Sequence, residues 1–417
     1  MTWRRWLTAG QILLFFIVFI VSVAPEWPAF RGEEYRLEGL VGQRHFDFVS
    51  WGTGALVTKT AEQAGSSHRF LEEQTRREVV ISYLAWVGRV RELQSDITGV
   101  YADALVADPD VESRGLQAEL AAARLEMARL QPLAEAVLQE QVAMVLAEEG
   151  FGVLGVVWPP VAMHMTPLPQ VLIVSPREEI RQIYNVPLTP GITVPEQEAL
   201  EQGIYAQLDR SGLVVPIGGL GFFPAMIVET GNVNFLADTV AHEWAHHWLS
   251  FYPLGIRYFS DSQLRTINET VASVVGTEVG RQVVERFYPE YAPPPPEAGE
   301  EGTTEAPQPP AFDFRAEMAE TRVEVDRLLA AGQVAEAEAY MEERRQMFVN
   351  RGYPIRVLNQ AYFAFYGAYA DTPGASGTDP VGPTVLALRE KSGSLREFLT
   401  VVGGVTSFEE LQALVGG

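Results

Sequence analysis

Apolar positions along this chain follow three different patterns. An almost unbroken apolar run fills Trp6 to Ala24, preceded by Arg4 and Arg5 and free of charge. Roughly 19 such residues make a helix long enough to cross a bilayer core. Pro25 directly after the run suits an uncleaved anchor better than a signal-peptide cleavage site. The basic flank predicts a single-pass protein with its N-terminus in the cytoplasm and the remainder outside. From His68 to Glu149 the spacing becomes helical. Val80, Leu84, Val87 and Val90 form one stripe, and Leu116, Leu120, Ala123, Met127 and Leu130 form another. Pro132 is expected to kink or divide the second helix. From Phe151 to Glu229 the chain turns to short β-rich runs, VLIVS, LVVPI and AMIVE, punctuated by Gly and Pro, which predict a small sheet. A helical block follows from Phe235 to Tyr288. The stretch from Ala292 to Ala311 is too rich in Pro and Glu to pack, and beyond it Phe314–Leu329 and Val334–Phe348 flank Gly332 as a helical hairpin, with a further helix over Val357–Tyr369.

These patterns predict an α+β protein, mostly helical. The expected organisation is an anchor at 1–27, a helical region at 28–150, a core at 151–291, a linker or long loop at 292–311 and a C-terminal helical region at 312–417. Composition narrows the function. Against 31 Lys+Arg stand 54 Asp+Glu, a formal charge of −23 that repels phosphate backbones and argues against nucleic-acid binding. The 417 residues include no Cys, which excludes disulfides, thiolate metal sites and thiol nucleophiles. Any metal must therefore be held by His and carboxylates.

The chemistry concentrates in DTVAHEWAHHWLSFY, where His242, Glu243 and His246 satisfy H-E-x-x-H. On a helix His242 and His246 lie one turn apart on one face, so both imidazoles can reach one ion, with Glu243 beside them as a base. A third ligand is required. The positions where a metzincin carries Gly and a third His hold Leu249 and Tyr252, which removes that reading. In LRTINETVASVVGTEVG, Glu269 sits on an otherwise apolar helix, and Ala272, Ser273 and Gly276 on its face are small enough for the histidine helix to approach. Glu269 is the leading candidate. Asp261 is the alternative, although YFSDSQ also reads as a helix N-cap. His247, rotated about 100° from His246, is expected to pack or face solvent, and His164 stands outside any ligand spacing.

HEWAHHWL followed by INETVASVVGTEVG resembles the gluzincin metallopeptidases, most closely a bacterial putative aminopeptidase family bearing H-E-x-A-H, N-E-[ST]-x-A-x-x-V-G and a later N-N-A with a tyrosine beyond it. Here Asn359, Gln360 and Ala361 stand at the third element and Tyr369 at the tyrosine. The resemblance covers roughly residues 235 to 410. It implies a zincin-like catalytic domain with a sheet packed on the H-E-x-x-H helix. It also implies one Zn²⁺ held by His242, His246 and Glu269, with Glu243 as the general base that takes a proton from a zinc-activated water. Tyr369, with Tyr366 as second choice, is the candidate oxyanion donor, although Tyr362, Tyr366 and Tyr369 also make a stripe suited to a core. Where thermolysin-like members carry an orienting Asp, this chain has Ser273; Asp238 or Asn268 could take that part. Pro224 to Glu229 is expected as the edge strand along which a peptide would lie. The G-x-M-E-N loop of gluzincin aminopeptidases is absent. Together these features predict a membrane-anchored zinc peptidase acting on peptides or proteins. The alternative is a tethered scaffold that keeps the zinc fold without turnover.

Overall fold

The computed structural model describes residues 32–65, 67–102, 106–258, 260–293, 312–368, 375, 377 and 379–416. The protein is mostly helical, with small mixed sheets. Two short-to-medium helices, α1 (Glu33–Val41) and α2 (Phe48–Gly65), lead into the long α3 (Glu73–Ala102), the single turn α4 (Pro109–Glu112) and the long α5 (Arg114–Leu146). Helices α3 and α5 pack together, and the stripe Val80, Leu84, Val87 and Val90 is buried in their interface as its spacing predicts. Pro132 lies inside α5 without ending it.

The strands fall into two three-stranded sheets and a hairpin. The hairpin pairs β1 (Gly152–Val153) with β2 (Val156–Val157). After β3 (Met163–Thr166) come β4 (Gln170–Pro176) and β5 (Tyr184–Leu188), then helix α6 (Val194–Leu208) and strands β6 (Arg210–Pro216), β7 (Gly219–Leu220) and β8 (Ala225–Val228). One sheet has the antiparallel order β5-β4-β6. Its side chains alternate faces: Leu172, Val174 and Val214 pack on α1 and α6, while Val171, Ile173, Leu213 and Val215 face the other way. The second sheet has the order β3-β8-β7, with β3 parallel and β7 antiparallel to β8. The segment expected as an edge strand, β8, is thus the central one, and β3 and β7 form the two edges.

Helix α7 (Val233–Leu249) follows, capped by Asn232, whose side chain accepts from the backbone of Asn234 and Phe235. The single turn α8 (Pro253–Ile256) and the long α9 (Ser262–Phe287) complete this block. The sheet β3-β8-β7 shares one core with α3, α5, α7 and α9 through Met163, Met165, Ala225 and Ile227. The hairpin predicted around Gly332 is present as α10 (Phe314–Ala330) and α11 (Val334–Asn350), with Gly332 at φ 73°, a conformation that favours glycine. Helix α12 (Gln360–Tyr366) is shorter than expected, and α13 (Val381–Lys391), α14 (Leu395–Gly403) and α15 (Phe408–Gly416) close the chain. Under β3, Lys59 of α2 reaches the fully buried Glu135 of α5. Glu135 also accepts from the Met165 backbone at 2.8 Å and lies 3.2 Å from His164.

One expectation is corrected here. The anchor at 1–27 lies outside the described residues, and among the described residues no helix is long and apolar enough to cross a membrane. The membrane-anchored function, the membrane partner, the single-pass topology and the extracytoplasmic placement all rested on that anchor and go with it. Of the Pro-rich stretch 292–311, only residues 292 and 293 are described.

Candidate metal centre

Helices α7 and α9 cross at unusually close range because α9 presents glycine. A Cβ on Gly280 would stand 2.7 Å from the Asp238 backbone, and one on Gly276 would stand 3.1 Å from the Cβ of His242. This approach brings Glu269, projecting from α9, against the two histidines of α7. His242 Nε2 and His246 Nε2 lie 3.1 Å apart, and Glu269 Oε2 lies 3.5 Å from the first and 3.6 Å from the second. Ligands about 2.0–2.1 Å from a tetrahedral zinc stand about 3.3 Å from one another, so these three atoms have the spacing of one face of such a site. His242, His246 and Glu269 form a clustered triad able to coordinate a metal ion, and it is the one such cluster among the described residues.

The surroundings aim these atoms inward. The Nδ1–H of His246 donates to Asn268 Oδ1 at 2.8 Å, which leaves Nε2 facing the cluster. The hydroxyl of Tyr258 donates to Glu269 Oε1. That bond frees Glu269 Oε2, a buried oxygen with no hydrogen-bond partner, and Glu243 Oε2 is buried and unpartnered as well. Orphaned carboxylate oxygens are costly in a protein interior, and a cation with a nearby water would satisfy both.

Charge follows geometry. Burial alone would raise the Glu269 carboxyl, but the charge on His246 and the close approach of both imidazoles outweigh it and hold the group well below the ordinary carboxylate range. Burial pulls His246 down, yet Glu269, helped by Glu243 and Asn268, brings it up to about 9. Glu243 is shifted upward by burial, with His242 and His246 opposing and Glu269 adding to the rise. The proton held by His246 offsets the Glu269 carboxylate, and a divalent cation bound by these groups would take the place of that proton.

Glycine also shapes the approach to Glu243. A Cβ on Gly219 of β7 would stand 2.2 Å from Glu243 Oε1, and one on Gly221 would stand 3.1 Å from the Cβ of His246. The edge of the sheet can therefore lie directly against the H-E-x-x-H turn. Beside it a cleft of about 440 Å³ opens onto His242 and Glu243, with Tyr362 and Tyr366 on its far wall.

The other sequence candidates fall as follows. Asp261 caps α9, accepting from the backbone of Gln263 and Leu264, and stands outside the triad. Asp238 contacts Thr277 at 3.4 Å. His247 turns away and donates Nε2–H to the Phe222 carbonyl at 2.7 Å; burial depresses it to about 4. Tyr366 lines the cleft, and Tyr369 lies outside the described residues. Asn359 caps α12 and donates to the Gly212 carbonyl, while Gln360 accepts from Ser211 and donates to the Arg177 carbonyl. These two residues tie α12 to the β5-β4-β6 sheet. His164 pairs with Glu135, away from the triad. Tyr258 was not a candidate from sequence, because nothing in the loop text YFSDSQ marks which aromatic folds back on Glu269.

No known family model, curated protein or solved structure matches this chain.

If Tyr258 orients the carboxylate, Tyr258→Phe should weaken affinity for a divalent metal ion by about 10- to 100-fold in a competition titration against a chromogenic chelator. The thermal transition of the metal-free protein should fall only by the loss of one buried hydrogen bond, about 1–3 kcal/mol. Equal affinity would reduce the hydroxyl to a packing contact.

Proposed function

We propose that this protein is a zinc-dependent peptidase of the gluzincin type. His242, His246 and Glu269 hold one zinc ion and Glu243 serves as general base. The observation that carries this reading is the convergence of Nε2, Nε2 and Oε2 within 3.1 to 3.6 Å of one another, beside a buried, unpartnered Glu243 oxygen. The donor set fits: two neutral imidazoles and one carboxylate make a catalytic zinc site that retains an open position. Zinc bound there supplies Lewis acidity and a nucleophile available near neutral pH.

The chain's own residues do the rest. Asn268 keeps the His246 ring in the orientation that presents Nε2, and Tyr258 keeps Glu269 to a single inward oxygen. Burial raises the affinity of Glu243 for a proton, which suits a group that accepts one from the attacking water and passes it to the leaving amine. Gly219 of β7 and Gly221 just beyond it let the sheet edge lie close to that carboxylate, and an extended peptide pairing with this edge would pass beside Glu243. Peptides, which offer both an extended backbone and a hydrolysable amide, fit this arrangement.

The test is metal content and hydrolysis on the purified full-length chain. The wild type should carry about one zinc per chain and cleave a mixed peptide library in a chelator-sensitive manner. Glu269→Ala should lose the ion. A wild-type protein that takes up no zinc would overturn the proposal, and zinc without any cleavage would leave a metal-bound scaffold in place of a hydrolase.

A further inference from the structure

The cleft beside Glu243 is walled largely by aromatic side chains. Phe235 and Tyr366 stay 41% and 37% exposed although both are large aromatics. Tyr362 packs against Tyr366 with ring centroids 4.5 Å apart, and Phe314 and Phe365 extend the same lining. Exposed aromatics gathered on one concavity mark a recognition surface, whereas scattered ones do not.

One cation joins them. Arg315, on the first turn of α10, lines this cleft. Four other arginines of the α10–α11 hairpin are paired: Arg322 with Asp326, Arg327 with Glu324, Arg344 with Glu317 and Arg345 with Glu342. The Arg315 guanidinium has no such carboxylate among the described residues. In a chain of formal charge −23, a cation left unpaired at the mouth of a reactive cleft is conspicuous. A guanidinium matches a carboxylate in a bidentate, planar fashion. The acidic groups on the cleft are Asp238, which contacts Thr277, and Glu243, the proposed base.

We infer that the cleft selects peptides presenting a bulky apolar side chain together with a carboxylate, the first seated among the aromatics and the second held by Arg315. This inference rests on the peptidase reading. The carboxylate could belong to the peptide's C-terminus or to an acidic side chain.

The experiment reads binding, so that turnover does not enter. Full-length, zinc-loaded Glu243→Gln protein is titrated into four labelled hexapeptides followed by fluorescence anisotropy. One has a central Phe and a free C-terminal acid, and the second has a central Phe and an amidated end. The third is the amidated peptide with one Glu added, and the fourth replaces Phe by Ala and keeps the free acid. At least one of the two Phe peptides bearing a carboxylate should bind about tenfold more tightly than the amidated Phe peptide, and which one does so identifies the source. That advantage should vanish in a Glu243→Gln/Arg315→Gln protein. The preference for Phe over Ala should shrink in Glu243→Gln/Phe235→Ala. Equal binding of the acid and amide forms, an acid preference that survives loss of Arg315, or equal binding of Phe and Ala peptides would overturn the inference. Each of these failures leaves zinc content and wild-type cleavage untouched, whereas a wild type without zinc sinks the peptidase reading itself.

Discussion

On the proposed peptidase reading, replacing Glu243 by Gln should lower kcat for peptide cleavage by about 10²- to 10⁴-fold without loss of bound metal. The amide fills the same buried space and cannot accept a proton. Glu243 is absent from the triad, so metal content should not fall with activity. That separation makes the variant informative: inductively coupled plasma analysis reports the ion, and a fluorogenic peptide reports the rate. KM should change much less than kcat, because the lost group acts on the attacking water more than on the bound peptide. A fall in zinc parallel to the fall in rate would mean that Glu243 holds the metal, and the assignment of base and ligands would have to be redrawn.

The second large effect is on stability. Lys59→Met should destabilise the protein by about 3–5 kcal/mol, because it strands the Glu135 carboxylate. Glu135 is fully buried, and Lys59 is only 6% exposed. Burial alone would raise the Glu135 carboxyl, but the hydrogen bond with His164 and the charge of Lys59 overcome it and leave the group below its ordinary range. A depressed folded-state pKa means stability that is fully present above the unfolded carboxylate value and is lost as pH falls through the folded one. In Lys59→Met the counter-charge is gone, so the acid limb of the stability curve should move to higher pH. Urea melts of both proteins between pH 3 and about pH 7 would show it. Unchanged midpoints would mean that the contact contributes nothing in solution.

How much of this was legible beforehand depends on the range of the interaction. The H-E-x-x-H spacing and the small face of Ala272, Ser273 and Gly276 are local, and helical geometry converts them directly into facing side chains. The hairpin about Gly332 is local too. Strand runs were visible at β4, β6 and β8, but periodicity identifies a strand and not its neighbour. Hence the pairing of β3 with β8, which encloses the whole β5-β4-β6 sheet in sequence, went unread, and β8 was placed at an edge it does not occupy. Tyr258 and the Lys59–Glu135 pair depend on a loop path and on a contact spanning 76 positions, and neither leaves a sequence pattern. The NQA element was legible as text, yet its Asn and Gln serve to fasten α12 to strands. The anchor came from hydropathy alone, on residues outside those described.

The glycine clasp between α7 and α9 has a consequence for how an ion would come and go. Because Gly276 and Gly280 let the two helices meet backbone to backbone, part of the entropy of gathering the ligands is spent on the helix pairing itself. A bound ion should therefore add its binding energy to a pairing the helices already make, raising the thermal transition as its concentration climbs above Kd.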